Sequence, residues 1–326
     1  MFGYIVRRVL YAIPILIGVN LITFTLFFIV NTPDDMARMQ LGAKRVTPEA
    51  IEKWKAERGY DLPLVWNSAE KSLFDKASKT IFAQKSAKLF IFDFGYAEDK
   101  RDIGGEIRQR MWPSLALAVP VFLVGLAVCI TFALLMAFFR ASYLDIWGVV
   151  LCVAMMSVST LFYIIGGQYV ASKIWHLVPI SGYAGGMDAA RFLILPVVIG
   201  VIGGVAACSR WYRTLFLEEM GKDYVRTARA KGLAESAVMF RHVLKNAMIP
   251  ILTGVVVVIP TLFLGSLLME SFFGIPGLGS YTIDAIQAQD FSVVRSMVFI
   301  GSVFYIVGLI LTDISYTVVD PRIRLE

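Results

Sequence analysis

The chain has 326 residues, of which 57% are hydrophobic and only 17% charged, and its mean hydropathy is +0.69. A soluble chain of this length would carry more charge, and the apolar residues form runs long enough to cross a bilayer, which takes about 20 residues each. The composition therefore excludes an ordinary soluble protein and indicates a polytopic membrane protein. The net charge of +6 does not call for a nucleic-acid partner, because basic loops beside a membrane explain it equally well.

The apolar runs predict an all-α integral membrane protein with six transmembrane helices. The first run, residues 9–30, follows Arg7 and Arg8 and contains no charge. A signal peptide is the rival interpretation, but 22 residues exceed the usual apolar core of about 7–15, and no small-residue cleavage site follows. We therefore expect a retained membrane helix. Five further runs lie at about 112–139, 146–172, 192–212, 248–269 and 293–315.

The short loops set the predicted orientation. One set, which includes both termini, holds 13 lysines and arginines, whereas the opposite set holds 3. The remaining 15 lie in a long loop, and loops of that length cross the membrane largely regardless of charge. We expect both termini to be cytoplasmic. The predicted organisation is an N-terminal segment and first helix (1–30), an extracytoplasmic loop with short helices (31–111), a five-helix core (112–315) and a cytoplasmic tail (316–326).

The long loop carries its own helix signals. Thr47, Pro48 and Glu49 form a helix start, and Gly59 follows a basic last turn, so the sequence predicts a capped helix from Thr47 to Arg58. Residues 66–88 show apolar side chains at roughly helical spacing. This second segment fits a helix on the outer membrane surface, a docking surface for a partner, or a solvated helix that packs on its own domain.

A polar and basic stretch at 217–250 separates the fourth and fifth apolar runs. Gly232 divides it into two segments of helical character, roughly 218–231 and 234–245. A glycine after the lysine-rich end of a helix is a stop signal, because glycine adopts the left-handed conformation without strain. We expect a short helix–turn–helix that lies against the membrane with one apolar and one basic face. A second interpretation is that the charges merely hold the loop at anionic lipid headgroups.

The chain offers few groups for chemistry of its own. It has no GxxxxGK[ST] loop, so it lacks that means of binding ATP. Its two histidines belong to no ligand-like cluster and its three cysteines fall inside apolar runs, so we expect no metal site, disulfide or catalytic residue. The central parts of the spans are free of ionisable groups, which ion-driven transporters keep to bind the coupling ion. A transporter built this way needs energy from another subunit, and the basic stretch is the place to receive it.

Several segments resemble the permeases of peptide-type ABC importers, the family of dipeptide, oligopeptide and nickel permeases. In the basic stretch these are DYVRTARAKGL at 223–233 and RHVLKNA at 241–247. The others are the Arg7-Arg8 start, GYDLPL at 59–64, ESFFGIPGLG at 270–279, DISY at 313–316 and DPRIR at 320–324. The ending is especially similar to the subgroup associated with microcin-type peptide uptake. The chain departs from the family at 157–160, which reads SVST where a proline that kinks the third span is common.

The resemblance implies the type I ABC importer permease fold and a non-catalytic subunit of the bacterial inner membrane. This subunit would form half of an ATP-driven import pathway for peptides or related small solutes. The implied partners are a second homologous permease, one or two ATPase subunits that bind ATP and Mg²⁺, an extracytoplasmic solute-binding protein and membrane lipid. No cofactor is expected in this chain. Two alternatives remain: an ion-coupled secondary transporter or channel, and a membrane scaffold that moves nothing.

The resemblance also implies site residues. The helix after Gly232, roughly 233–244 within a coupling loop at 213–247, would dock into a groove of the ATPase, with basic residues orienting it and apolar residues filling pockets. The implied coupling residues are Arg229, Ala230, Lys231, Gly232, Leu233, Val238, Met239, Arg241, His242 and Leu244, and Lys245 is a further orienting charge. Glu270 and Asp284, in the last outer loop, are predicted contacts for the pathway, a cationic peptide terminus or the binding protein.

Overall fold

A computed structural model describes residues 2–42, 47–68, 70 and 72–319 of the protein. Within these residues the regular structure is helical, and the only strand-like pairing is an isolated bridge between Tyr96 and Asp102. Residues 320–326 of the predicted tail, which include the DPRIR segment at 320–324, lie outside the described residues.

The chain forms two compact units. Of the described residues, unit 1 contains those up to Arg110 together with Tyr281–Ile310, and unit 2 contains Met111–Ser280 together with Leu311–Val319. The first helices in chain order are α1 (Phe2–Phe24), α2 (Pro33–Leu41), α3 (Pro48–Arg58), α4 (Leu73–Ser78), α5 (Ile103–Phe138), α6 (Tyr143–Met156) and α7 (Thr160–Gln168). The remaining helices are α8 (Ala189–Met220), α9 (Asp223–Ala230), α10 (Glu235–Val238), α11 (Lys245–Thr261), α12 (Leu267–Phe273), α13 (Leu278–Gln287) and α14 (Phe291–Val319).

Among the residues that the structure describes, five helical stretches are long and apolar enough to cross a membrane. They are Val6–Val30, Ile103–Phe138, Ala189–Met220, Glu235–Leu264 and Phe291–Ser315. A sixth is obtained when the bent pair Tyr143–Met156 and Thr160–Ile174 is counted as one span. The structure confirms the all-α membrane fold, and each candidate span overlaps one of the predicted apolar runs.

The third predicted span is broken rather than continuous. Its two helices meet at an angle of 89° across residues 157–159. The hydroxyl of Ser157 donates to the Val153 carbonyl at 2.9 Å, which competes with the backbone ladder and bends helices. Tyr163 Oη donates to the Met155 carbonyl at 2.8 Å and so satisfies one acceptor at the broken end. Side-chain hydrogen bonds therefore accompany a bend at the place where the family commonly has a proline.

The helix at 47–58 is confirmed. Thr47 caps α3 by accepting from the Ala50 amide, Pro48 is its first residue, and Gly59 ends it in the left-handed region with φ +67°. The single helix predicted for 66–88 is wrong. In the described part of this segment, α4 is followed by two short helical turns, because Thr80 interrupts the pattern by accepting from the Ala83 amide and donating to the Ala77 carbonyl.

The folded core of unit 1 explains why the long loop is ordered. Phe24 and Phe28, at the end of the first span, pack with Trp54 and Tyr60 from the capped helix and the turn after it. Ile81 completes the same cluster, with 1% of its surface exposed. The loop is thus a folded part of unit 1.

Candidate functional site: the Gly232 loop

The candidate site is the loop at residues 213–247, called the Gly232 loop below, and it lies entirely in unit 2. Its first helix is shorter than predicted. Glu218 to Met220 belong to the end of α8, Gly221 and Lys222 form a turn, and α9 then runs only from Asp223 to Ala230. The glycine at 221 ends α8 with its amide bonded to the Glu218 carbonyl at 3.1 Å.

Gly232 makes the predicted turn. It adopts φ +77°, which is strained for residues with a side chain, and its amide donates to the Arg229 carbonyl at 2.9 Å. The Lys231 amide donates to the Thr227 carbonyl at 3.1 Å. The end of α9 is therefore closed by backbone hydrogen bonds, and the chain is free to leave in a new direction.

The second helix of the loop is not a separate element. It begins at Glu235 and continues through α11 as one helical stretch to Leu264, with a wider turn at Met239–Leu244. The prediction of a short helix at 234–245 lying on the membrane is wrong in this respect. The segment after Gly232 is the beginning of the next candidate span.

An ion pair ties the two sides of the turn together. Arg229 Nε donates to Glu235 Oε2 at 3.0 Å and its Nη2 donates to Glu235 Oε1 at 2.5 Å. This two-point geometry favours the ionised forms: the hydrogen bond with the carboxylate is the main cause of the raised pKa of Arg229. Arg229 thus has a partner within its own loop.

The apolar side of the loop is part of the core of unit 2. Val225, Val238, Met239 and Val243 have no exposed surface, and Ala228 is 5% exposed. They share one cluster with residues of three candidate spans: Ala133 and Ala137 on α5, Tyr212 and Phe216 on α8, and Ala247 and Ile251 on α11. Leu244 is half-buried against the same cluster. Val238 and Met239, predicted to fill pockets of a partner, are instead packed inside this chain.

The other implied residues lie at the surface. Ala230, Lys231, Gly232, Leu233 and Arg241 are exposed and His242 is partly exposed. Lys231, Leu233, Arg241 and His242 line an open cavity of about 430 Å³ together with Tyr224, Thr227 and Ala228. The structure therefore brings two cations, a leucine and a histidine to one concave surface.

Two further interactions, which we did not predict, hold the base of the loop. Tyr224 Oη donates to the Glu219 carboxylate, and burial together with this acidic neighbour raises the Tyr224 pKa to about 12. Arg213 makes two hydrogen bonds, of 2.7 and 2.8 Å, with Asp145 at the start of α6. Asp145 is 4% exposed, so this pair joins α6 and α8 in the interior. Because Asp145 and Arg213 are far apart in the sequence, no sequence pattern predicted that they would pair.

Glu270 lies inside unit 2, with none of its surface exposed. Its Oε2 accepts from the Gly279 amide at 2.7 Å and the Ser280 amide at 3.1 Å, and its Oε1 accepts from the Ser266 amide at 3.1 Å. Ser114 also donates to the carboxylate and accepts from the Leu278 amide at 2.8 Å. Burial raises the pKa of Glu270, and the four donors oppose that shift.

The carboxylate of Glu270 thus joins the start of α12, the first turn of α13 and the side chain of Ser114. Glycines make this possible: a Cβ on Gly265 or Gly277 would overlap Glu270 and Ser114, and one on Gly279 would meet the Ser266 carbonyl. All accepting oxygens of Glu270 face inward, so we do not retain it as a contact for an external partner. Asp284, the other acid predicted there, is exposed on α13.

No metal-binding group was expected. Over the described ranges, no three His, Cys, Asp or Glu side chains converge in a way that could hold a metal ion. Cys129 and Cys152 are buried and Cys208 is partly buried, all as free thiols.

Comparison with known proteins identifies the family. Residues 110–325 match the family described as binding-protein-dependent transport system inner membrane component, and residues 1–101 match the N-terminal region of such a membrane component. The chain is 30% identical over 352 aligned residues to the dipeptide transport system permease protein of Escherichia coli K12, covering 99% of both chains. It is 31% identical over 332 residues to a putative peptide transport system permease protein of Brucella abortus, covering both chains fully.

A third relative, the di/tripeptide transport system permease protein of Pseudomonas aeruginosa, is 31% identical over 356 residues and is covered to 99%. These matches extend from end to end of the chain, in agreement with the spread of the resembling segments. The chain belongs to the family of inner-membrane permease subunits of binding-protein-dependent ABC importers, in which ATP hydrolysis is carried out by a separate subunit.

Proposed function

We propose that this permease forms one half of a translocation pathway for peptides or related small solutes, and that the Gly232 loop receives the movement of the ATPase. The substrate class is suggested by the names of the relatives from E. coli, B. abortus and P. aeruginosa, all of which are described as peptide permeases. A second homologous permease would supply the other half of the pathway.

The contrast between the two faces of the Gly232 loop carries this proposal. One face is packed into the cores of three candidate spans, with several side chains fully buried. The other presents Lys231, Leu233 and Arg241 around an open cavity. Because a close-packed core transmits displacement rather than absorbing it, a partner that pushes on the exposed face would move the spans with it.

The continuous helix after Gly232 also supports a coupling role for the loop. It has 30 residues from Glu235 to Leu264, which corresponds to roughly 45 Å of helix. A push at its exposed beginning would be delivered along one continuous helical stretch into the candidate span. Anchoring at lipid headgroups would use the basic residues, but it would require neither the buried face nor the continuous helix.

We also propose the orientation and the partners. A cytoplasmic location of this loop and both termini is supported by the excess of lysine and arginine in the loops on the side of the Gly232 loop. One or two ATPase subunits would bind there, and a solute-binding protein would deliver solute on the opposite side, where residues 31–111 would lie.

The decisive experiment is purification of the tagged chain with its co-expressed partners in a mild detergent, followed by reconstitution. We expect Leu233→Asp to reduce recovery of the ATPase at least tenfold and to abolish ATP-dependent peptide uptake, because it places a charge on the apolar part of the exposed face. The matched control is Leu177→Asp. Leu177 is 71% exposed and lines a different cavity of unit 2, formed by residues between 172 and 194, so this variant should retain the ATPase.

Equal retention of the ATPase by both variants would contradict the coupling role of the loop. A chain that purifies alone, reconstitutes alone and moves solute down an ion gradient would instead establish the secondary-carrier alternative.

A further inference from the structure

Unit 1 contains a cavity that is lined by charged side chains. It has a volume of about 670 Å³, and we call it the Arg295 cavity after its most buried charged residue. Five cationic side chains and three carboxylates line it, including Arg58, Lys85, Glu98 and Arg295. Its lining belongs to the segment at 57–100 and to the first turn of α14, so the whole cavity lies within one compact unit.

The carboxylates of the cavity are already engaged. Glu98 accepts from Arg58 Nε and Nη2, both at 2.6 Å. Asp93 pairs with Lys88 at 3.6 Å, and Glu57 lies 3.8 Å from the same Arg58. The acids therefore balance Arg58 and Lys88 and leave the other cations of the lining uncompensated.

Arg295 is the most unusual of these cations. Only 4% of its surface is exposed, and its Nε has no hydrogen-bond partner in the part of the chain that the structure describes. Its guanidinium lies 5.2 Å from the centre of the Phe28 ring. Asp290 is near enough to act on it electrostatically, but the Asp290 oxygens accept from the Val293 amide at 3.1 Å and the Glu98 amide at 2.7 Å. A buried cation without a direct counter-charge is costly, and an anion bound beside it would reduce that cost.

Lys85 adds a second charge beside Arg295. Its ammonium lies 5.3 Å from the centre of the Tyr60 ring and, among the described residues, has no carboxylate within ion-pair distance. Burial lowers the pKa of Lys85, and the neighbouring charges of Arg295 and Lys88 lower it further. Two cations that repel one another thus face the same polar cavity.

We propose that the Arg295 cavity binds an oxyanion, specifically a phosphate group, between Arg295 and Lys85. Arg295 lines the cavity, its planar guanidinium suits the two-point recognition of such a group, and Lys85 supplies a compact second charge. The phosphate comes either from a soluble molecule or from the headgroup of an anionic lipid. In both cases the anion replaces the missing counter-charge and stabilises unit 1.

The test uses the full-length chain in a phosphate-free maltoside detergent. The first arm measures the thermal unfolding midpoint while inorganic phosphate is added, against sodium chloride at matched ionic strength. The second arm uses native mass spectrometry to count bound phosphatidylglycerol. Lys85→Met and Arg295→Met are compared with Lys53→Met, which removes an exposed lysine of unit 1 that does not line the cavity.

A soluble source predicts that phosphate raises the midpoint by several degrees more than chloride, and that this rise is lost in Lys85→Met and Arg295→Met but kept in Lys53→Met. A lipid source predicts no specific effect of phosphate, but at least a tenfold loss of bound phosphatidylglycerol in the two cavity variants. Without either ligand, both cavity variants should unfold at a higher temperature than the unmodified chain, because an uncompensated charge has been removed. If neither ligand distinguishes the cavity variants from Lys53→Met, the proposal is wrong.

Discussion

The carboxylate of Glu270 shows how one residue can fix the geometry of two helices. It accepts hydrogen bonds from backbone amides at the starts of α12 and α13, and these amides have no acceptor within their own helices. The negative charge also lies at the positive end of the α13 dipole. Its burial explains why so many glycines surround it, since a backbone amide can approach a buried carboxylate closely only where no Cβ intervenes.

Replacing Glu270 by glutamine should therefore destabilise the protein. The amide NH₂ of glutamine would face amide donors instead of accepting from them, and we expect a loss of about 2–4 kcal/mol in the free energy of unfolding. Unfolding of the purified chain in a denaturing detergent titration measures this loss. Asp284→Asn is the control, since that acid is exposed, and it should change stability by less than about 0.5 kcal/mol. Similar effects of the two substitutions would argue against the structural role of Glu270.

The pair formed by Asp145 and Arg213 gives a second prediction at this scale. Asp145→Asn leaves the Arg213 guanidinium without its counter-charge in a largely buried place, at a cost of about 3 kcal/mol. Replacing both residues, as Asp145→Leu with Arg213→Met, should recover most of this loss because no buried charge remains. The same unfolding titration on Asp145→Leu, Arg213→Met and the double variant measures the coupling between the residues. Additive effects would show that the pair contributes little.

Among the helices, the Gly232 loop combines a rigid base with an exposed turn. The ion pair between Arg229 and Glu235 crosses this turn, and both side chains are more than a third exposed, so its stabilising contribution is small, about 0.5 kcal/mol. Its value lies in holding α9 at one angle to the long helix that follows Gly232. This assigns to Arg229 a role within the chain, whereas the resemblance implies contact with the ATPase.

Exchanging the charges of Arg229 and Glu235 distinguishes a role of Arg229 within the turn from direct contact with the ATPase. Arg229→Glu and Glu235→Arg should each reduce peptide-stimulated ATP hydrolysis by the reconstituted complex several-fold, because each places like charges on both sides of the turn. The combined variant should recover most of the activity if the ion pair matters for the shape of the turn. Failure of the combined variant to recover would instead show that Arg229 contacts the partner directly.

The elements differ in how far the sequence could predict them. The capped helix at 48–58 and the turn at Gly232 follow from local rules, because a threonine, a proline or a glycine at the right position decides the outcome. The bend at 157–159 and the break at Thr80 depend on single hydroxyl groups that bond to the backbone. The spacing of apolar residues does not distinguish a serine or threonine that bonds to the backbone in this way from one that makes no such bond. The inward orientation of Val238 and Met239 depends on the spans packed around them, and sequence spacing alone does not reveal those neighbours.

At the scale of the whole molecule, the membrane spans and their orientation rest on different evidence. The structure supplies five long apolar helices and one bent pair, but the side of the membrane on which each loop lies comes from the charge bias alone. The two units also separate two proposed tasks, since coupling to the ATPase is assigned to unit 2 and oxyanion binding to unit 1. A direct measurement of orientation therefore bears on both proposals.

Two single cysteines make that measurement. Ser68 in the segment after the first span and Ser236 in the Gly232 loop are both exposed serines, so cysteine can replace either with little disturbance. In a chain whose native Cys129, Cys152 and Cys208 have been changed to serine, we expect a membrane-impermeant maleimide to label the Ser68→Cys variant in intact spheroplasts. The Ser236→Cys variant should be labelled only after lysis, because the basic loops stay on the cytoplasmic side. The cysteine-free chain controls for background labelling, and ATP-dependent uptake shows that each variant still works. The reverse pattern would place the Gly232 loop outside the cell, where no ATPase could reach it, and both the orientation and the coupling mechanism would have to be abandoned.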